Sequence, residues 1–532
     1  MTNNMKNILK GLAVAVCFST LLTSCTKNFE YFNTNQHEAT QEQMERDGLK
    51  TGSFFAQMLR TVYVYADGVN LDSDYQIAYN LLADSYAGYL APTLNANNGV
   101  HCGSYFMTES WRRAMFSFSY TKGVSAYVQL AKTATEQNQD HILALANIVK
   151  VAILHRVTDY YGPIPYSKIG AEMNVAYDSQ EDIYNAFFEE LGSAIDVLND
   201  FKNANPGSSL LASYDVVYGG NVTKWIKFAN SLRLRLAMRV AYADPTLAKI
   251  EAEKSVADVT GVMVEAADVA KINGNYTHPV TTINGFNDGD TQMGASMDSY
   301  LNGYDDPRLE IYFKPAANGG YHGVRNGVHT SNWTPYGNAA GNVSAPNTAA
   351  TPLTWMAASE VAFLRAEGAL RGWNMGGDAQ SFYEQGIRLS FEETGAKDAD
   401  TYLANSTLTP AAFEDATRNG GNAAAMSAIT IAWNAEAGME TNLERIITQK
   451  WIALYPNGCE AWAEYRRTGY PALFPVLNND SEGAVGSDLQ IRRVPYPHDE
   501  YSTNASGVAS GVAKLGGADN VGTKLWWDKK PR

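Results

Sequence analysis

Apolar residues recurring at helical spacing constrain this chain more than any other feature. From Ser179 onward, Ile183, Tyr184, Phe187, Phe188, Leu191, Ile195 and Leu198 follow at intervals of one, three and four, which sets them on one face of a helix. Ser179 with Asp182 three residues on supplies an N-terminal cap. The stretch from Asn221 repeats the arrangement with Trp225, Phe228, Leu232, Leu236 and Val240, interleaved with Arg233, Arg235 and Arg239. The same pattern predicts helices over roughly 48–65, 74–90, 110–134, 140–158, 355–372, 378–394 and 440–455. They fall largely in pairs joined by loops, as in degenerate tetratricopeptide-like repeats, although no strict period survives. The expected fold class is mainly α.

Residues 259–350 break that pattern. Asn273-Gly274, Asn284-Gly285, Asn302-Gly303, Asn326-Gly327 and Gly341-Asn342 punctuate the segment, and such dipeptides mark turns. Between them stand Tyr276, Phe286, Tyr304, Tyr321, His322, Trp333 and Tyr336. A second loop, 91–109, carries Asn95, Asn97, Asn98, His101 and Tyr105. Long loops on a helical scaffold are where binding is usually found. The chain has 31 tyrosines and 10 tryptophans, whose rings pair an apolar face with a polar handle. Such rings suit the stacking of sugars, though most aromatic residues of a helical chain are packing residues. Charged residues are only 18% and the net charge is −15. That excludes a basic nucleic-acid footprint and a polybasic membrane patch.

The N-terminus fixes the compartment. Lys6 and Lys10 precede an uncharged run from Gly11 to Leu22, which ends in Leu22-Thr23-Ser24-Cys25. A short apolar segment closed by small residues and a cysteine reads as a lipoprotein signal over 1–24 with Cys25 as the lipidated first mature residue. The run is shorter than the ~20 residues that span a bilayer. No later stretch reads as a transmembrane segment, so attachment rests on the lipid. Residues 25–45 are expected to form a leash and 46–532 a single domain, with 259–350 a variable insertion. Lipidation of Cys25 leaves Cys102 and Cys459 in the mature domain; separate thiols are expected, with one disulfide between them in an oxidising compartment as the alternative.

Catalytic patterns are missing. No His-Glu-x-x-His, zinc-spaced Cys/His set or Gly-x-Ser-x-Gly occurs. Asn287-Asp288-Gly289-Asp290 lacks the alternating acids and closing glutamate of a calcium loop and reads as a turn. A glycosidase needs two carboxylates across a sugar, which sequence does not locate. No enzyme activity, cofactor or metal is expected.

Several blocks carry a resemblance. After the lipobox comes Asn28-Phe29-Glu30-Tyr31-Phe32-Asn33-Thr34-Asn35, then Val157-Thr158-Asp159-Tyr160-Tyr161-Gly162-Pro163-Ile164-Pro165-Tyr166-Ser167 and Tyr177-Asp178-Ser179-Gln180-Glu181-Asp182-Ile183-Tyr184. Tyr218-Gly219-Gly220-Asn221 leads into the Trp225 helix. Leu364-Arg365-Ala366-Glu367-Gly368-Ala369-Leu370-Arg371-Gly372-Trp373 and Gln449-Lys450-Trp451 follow. Arg492-Arg493-Val494-Pro495-Tyr496-Pro497 and Trp526-Trp527-Asp528-Lys529 close the series. In this order the chain resembles the SusD/RagB family of outer-membrane nutrient-binding lipoproteins, in the branch described as "starch-binding associating with outer membrane". Pro163 departs from the aspartate that many members carry before Ile-Pro-Tyr.

The blocks also have a physical reading. Gly162-Pro163-Ile164-Pro165 stops a helix, and the Asp159 side chain is expected to bond amides freed there. The Trp225 and Trp451 helices are expected to bury aromatic faces while Lys and Arg stems cover their rims. The blocks thus read as scaffold rather than as a ligand site.

The resemblance implies a SusD-like fold, with tetratricopeptide-like helix pairs in a scaffold lobe and a loop-rich variable lobe. It also implies a surface lipoprotein that binds glycans and delivers them, as a lid, to a SusC-like TonB-dependent transporter in the outer membrane. Thr26 fits that location, because it is not the aspartate that commonly retains lipoproteins at the inner membrane. The same role for peptides or another nutrient is the alternative, and a secreted hydrolase a more distant one. Aromatic density in the loops nominates Trp333, Tyr336 and Tyr105 as platforms, with Asn98, Arg325 and His322 as polar partners.

Overall fold

The computed structural model describes residues 48–171, 175–418, 420–486 and 489–531. The signal segment, Cys25, the leash and the Asn28-to-Asn35 block lie outside the described residues. The chain divides at Gly52, inside the first helix, and the architecture below is that of Ser53–Arg532.

Helices dominate, in the places where the apolar spacing puts them. The long ones are α1 (Leu49–Val62), α2 (Ser125–Glu136), α3 (Asp140–Tyr161), α4 (Gln180–Ala204), α5 (Val222–Arg239) and α6 (Pro245–Ala257), followed after the loop-rich segment by α7 (Ala358–Leu370), α8 (Ala379–Thr394), α9 (Met439–Leu454), α10 (Gly458–Thr468) and α11 (Ala505–Leu515). Successive helices pack on one another from α2 through α6, then α7 on α8 and α9. The Ser179 side chain caps α4 by accepting from the Asp182 amide at 3.1 Å. Asn221 and Asp378 cap α5 and α8 in the same way. Ile183, Tyr184, Phe187, Leu191, Ile195 and Leu198 are all buried, as the spacing requires.

Two expected helices are irregular. The 74–90 helix is a short α-turn (Asp72–Tyr75) running into a π-helical stretch, Gln76–Asp84. The 110–134 helix breaks into short pieces with a second π-helical stretch, Ser119–Val124, before α2. There Gly123 lies so close to Thr61 and Ile153 that an added Cβ would sit 2.8 Å from the threonine methyl. Helix α3 is long and apolar enough to cross a bilayer, which the sequence reading overlooked, but 83% of its apolar window is buried in the core. Cys102 and Cys459 are free and buried.

The scaffold core holds an ionic lattice that the sequence reading placed at the helix rims. Arg235 and Arg239 on α5, Arg371 at the end of α7, Lys450 on α9 and Arg467 on α10 face Asp159 on α3, Glu360 and Glu367 on α7, and Glu460 and Glu464 on α10. Arg235 pairs with Glu360 at 2.6 Å. Arg239 reaches Glu460 at 2.5 Å and Asp159 at 3.3 Å. Lys450 meets Glu464 at 3.0 Å and Arg371 meets Glu367 at 2.8 Å. Arg467 forks onto Glu367 at 2.7 and 2.6 Å and also holds Glu464. The formal charges cancel, which is the condition for burying so many of them. Burial alone would raise the Glu367 carboxyl, but Arg467 and Arg371 outweigh it and hold it at about 2.

Asp159 is a second correction. Its carboxylate does not bond amides at the helix stop: it accepts from the Tyr184 hydroxyl at 2.6 Å and the Trp527 indole at 2.9 Å. The stop is instead satisfied from the far end of the chain. Arg493 donates to the Tyr161 carbonyl at 2.7 Å, the Val494 amide to Tyr160 at 2.8 Å, and the Tyr496 hydroxyl to Pro163 at 2.8 Å. Blocks some 330 residues apart in sequence are therefore halves of one joint.

Glu464→Gln leaves Arg467 and Lys450 under-compensated in the core and should cost about 3–5 kcal/mol, read from the urea midpoint of the soluble mature chain. Lys132→Gln, in an exposed pair, should leave that midpoint nearly unchanged. Glu367 and Glu464 titrate lower in the folded state than unfolded. Their stabilisation is therefore complete above their unfolded pKa and is lost as pH falls toward the folded values. The midpoint should drop on acidification from about pH 5 to about pH 3, within the window those shifts define.

Candidate functional site

Two short antiparallel ladders tie the loops to the scaffold. β1 (Leu90–Pro92) opens the 91–109 loop, and β2 (Ala270–Lys271), β3 (Thr291–Met293) and β4 (Thr354–Met356) belong to the loop-rich stretch and its exit. β1 pairs with β3 in the register Leu90 to Met293 and Pro92 to Thr291, while β2 pairs with β4. The β1–β3 ladder brings the two loops nominated from sequence into one surface.

Beyond the ladder the contact continues through amides. The Thr93 amide donates to the Asp290 carbonyl at 2.9 Å and the Thr330 amide to the Asn98 carbonyl at 3.1 Å. Gln292 donates to the Tyr336 carbonyl at 3.1 Å and to Asn338 at 2.9 Å. Asn338 in turn donates to the Asn284 carbonyl at 2.9 Å. The Asn287-to-Asp290 run is a turn, with Asn287 and Asp288 at positive φ. Gln76, from the first π-helical stretch, holds Asp290 at 3.0 Å. Gly99 makes the closest approach: a Cβ there would lie 2.1 Å from the Val328 carbonyl, and its φ is +95°. Only glycine fits both the space and the backbone angle.

The nominated residues fare differently. Trp333 is half-buried, tilted on Tyr336 with ring centroids 5.4 Å apart. It packs on a small apolar cluster of Ala91, Val324, Tyr336 and Val343. The Trp333 indole N–H has no hydrogen-bond partner among the described residues. Asn98 is exposed at φ 53°. His322 is half-buried, its Nε2 3.0 Å from the Gly319 carbonyl.

The other three are interior. Tyr336 is buried beneath Trp333. Tyr105 is buried against Tyr86, and burial raises its hydroxyl pKa well above the ordinary range. Its left-handed backbone, φ 71°, turns the chain so that the neighbouring Phe106 is the exposed ring of this loop, at 38%. Arg325 is buried, with its guanidinium donating to the Gly421 and Pro475 carbonyls at 3.1 and 2.6 Å and lying over Phe474. Burial lowers its pKa. Of the nominated rings Trp333 alone stays partly open, Phe106 is exposed beside Tyr105, and Arg325 braces the loop.

Sequence reasoning missed the support beneath this surface. His329 Nε2 lies 2.7 Å from an Asp480 oxygen, and the Asp480 amide donates to the Ser104 carbonyl at 2.7 Å. His101 nearby is pushed down to about 4, by burial first and by His329 second, so it is neutral at physiological pH. Asp480 is too far along the chain for any local signal to have joined it to the loops. Among the described residues no group of three or more His, Cys, Asp or Glu could hold a metal ion.

The family model described as "SusD-like: Susd and RagB outer membrane lipoprotein" matches residues 31–528. A chitin-binding SusD homologue from Flavobacterium johnsoniae is 40% identical, covers 90% of this chain and 99% of its own, and superposes with a TM-score of 0.86. A SusD homologue from Bacteroides uniformis is also 40% identical over the same shares, with a TM-score of 0.84. A chitin-binding protein at 26% identity covers 90% of this chain and all of its own, with a TM-score of 0.70. No curated protein matches the chain.

Gly99→Ala should cost about 1–2 kcal/mol from the backbone angle alone, plus the displacement of residues 328–329. Limited proteolysis should then cut within 94–108 or 326–334 before the helices, whereas the wild-type loops should resist.

Proposed function

Because this chain belongs to the SusD-like family of outer-membrane lipoproteins, we propose that it binds glycans and passes them to a TonB-dependent transporter, which it covers as a lid. The observation that carries the reading is the joined loop surface. Trp333 offers a partly open ring, seated on Ala91, Val324, Tyr336 and Val343, in joined loops that leave Asn98 and Asn338 exposed. Sugars present apolar faces to rings and hydroxyls to amides, so this pairing of groups suits a saccharide. The chitin-binding relative from Flavobacterium johnsoniae, 40% identical, supports a glycan cargo.

In this reading the protein binds and releases without turning its ligand over. Export by residues 1–24 and lipidation of Cys25 place it on the outer face of the outer membrane. The leash keeps it near the SusC-like partner, and His322 and Asn98 serve as rim contacts.

Isothermal titration of the soluble mature chain against chitin oligosaccharides and peptide pools tests the cargo. Binding of glycan and not peptide supports the reading, and the reverse transfers the lid role to peptides. Trp333→Ala should weaken glycan binding about tenfold or more, as truncation of an aromatic anchor does, with the thermal melt preserved. Unchanged affinity would remove Trp333 from the site. Cys25→Ala should release the protein from the outer-membrane fraction while the soluble fold still binds.

A further inference from the structure

A cleft of about 810 Å³ lies between the scaffold and the loop-rich segment. The first turn of α7, the end of α8 and the α9–α10 connection line one side, and the β2–β4 strip with Glu310 lines the other. Its volume is that of a site for a small organic ligand or a short oligomer. Neither Trp333 nor any residue of 91–109 lines it.

The lining has an uncompensated charge. Glu310 and Glu392 are exposed at its lip and Glu393 is half-buried. None of the three has an ion-pair partner among the described residues, in contrast to Glu360 beside them, which faces Arg235. Lys271 is the sole Lys or Arg among the described residues of the lining. The Ser359 amide donates to Glu393 at 3.0 Å, which fixes that carboxyl at the start of α7. Burial raises it to about 7.

Deeper in, Tyr455 packs on Tyr312 with ring centroids 4.7 Å apart. Tyr455 is 6% exposed, and its hydroxyl has no hydrogen-bond partner among the described residues. A buried hydroxyl without a partner forgoes about 1–3 kcal/mol that a ligand group can restore.

We propose that this cleft is a second ligand site, which takes a short saccharide carrying free amino groups. Ammonium groups pair with Glu310 and Glu392, the Tyr455 and Tyr312 side chains meet the sugar body, and Asn347 serves its hydroxyls. The two exposed unpaired carboxylates, Glu310 and Glu392, select against anionic sugars and give neutral ones no charge to match. This site is built from different elements than the loop surface and stands whether or not that surface binds glycan.

The test is calorimetry of the soluble mature chain with the glucosamine tetramer and with its fully N-acetylated counterpart. The amine form should bind, more weakly at 0.5 M salt than at 0.05 M. Glu310→Gln/Glu392→Gln should weaken it about fivefold or more and leave the acetylated form unchanged. Both positions are exposed, so the fold should be kept, which the thermal melt checks. Tyr455→Phe, which keeps the ring, should weaken it to a smaller degree. Amine binding that is absent, insensitive to the double variant, or lost in Trp333→Ala alone overturns the proposal. Acetylated binding that is absent while amine binding responds to the double variant overturns the loop-surface reading and supports this one.

Discussion

Charge cancellation inside the helical scaffold is the constraint on which the rest of the structure depends. Arg235, Arg239, Arg371, Lys450 and Arg467 meet Asp159, Glu360, Glu367, Glu460 and Glu464 away from water, so each helix that contributes a charge is fixed by its neighbours. Such pairs contribute little net stability compared with a well-packed apolar core, but removing one partner is costly. They are also directional: the forked Arg467–Glu367 contact needs α7 and α10 in one relative orientation. The lattice specifies the packing that the apolar stripes permit.

That orientation reaches the joined loop surface through few links. The 91–109 loop leaves the scaffold just after the Gln76–Asp84 π-helical stretch, and Gln76 in that stretch grips Asp290. The β1–β3 ladder, the Gly99 approach and the His329–Asp480 contact then lock the loops together. Trp333 rests on them and takes its place from the scaffold. A surface held this way has little conformational freedom left to lose, which would favour the affinity of the proposed ligand contact.

The helices with apolar stripes were legible because burial of a stripe writes a period into the chain. α4 and α5 came out with their caps. α10 left no such mark: its buried residues include Glu460, Glu464, Arg466 and Arg467, so a helix enclosed by ion pairs reads as a polar segment. For the same reason Arg235, Arg239 and Lys450 looked like rim residues. Among the described blocks that carry the family resemblance, those around Glu367 and Lys450 belong to this lattice, and the 157–167 stop and the 492–497 block form one joint. Their likeness reveals the scaffold and is silent on cargo. At the candidate site, the two loops nominated from sequence are joined through the β1–β3 ladder, and Trp333 keeps part of its ring open. The sequence reading nominated Tyr105, which is buried while Phe106 beside it is exposed, because which of two adjacent aromatic residues faces out depends on one left-handed residue. It also took Arg325 for a ligand contact, because loop membership does not reveal burial.

Hydrogen–deuterium exchange of the mature chain, with and without a saturating chitin oligosaccharide, tests most directly that the scaffold is fixed and the joined loops bind. The account predicts slowed exchange in 97–106 and 326–338 on ligand addition, with α3, α5 and α10 equally protected in both states. Slowed exchange confined to the helices, or none in those two loop segments, would contradict it.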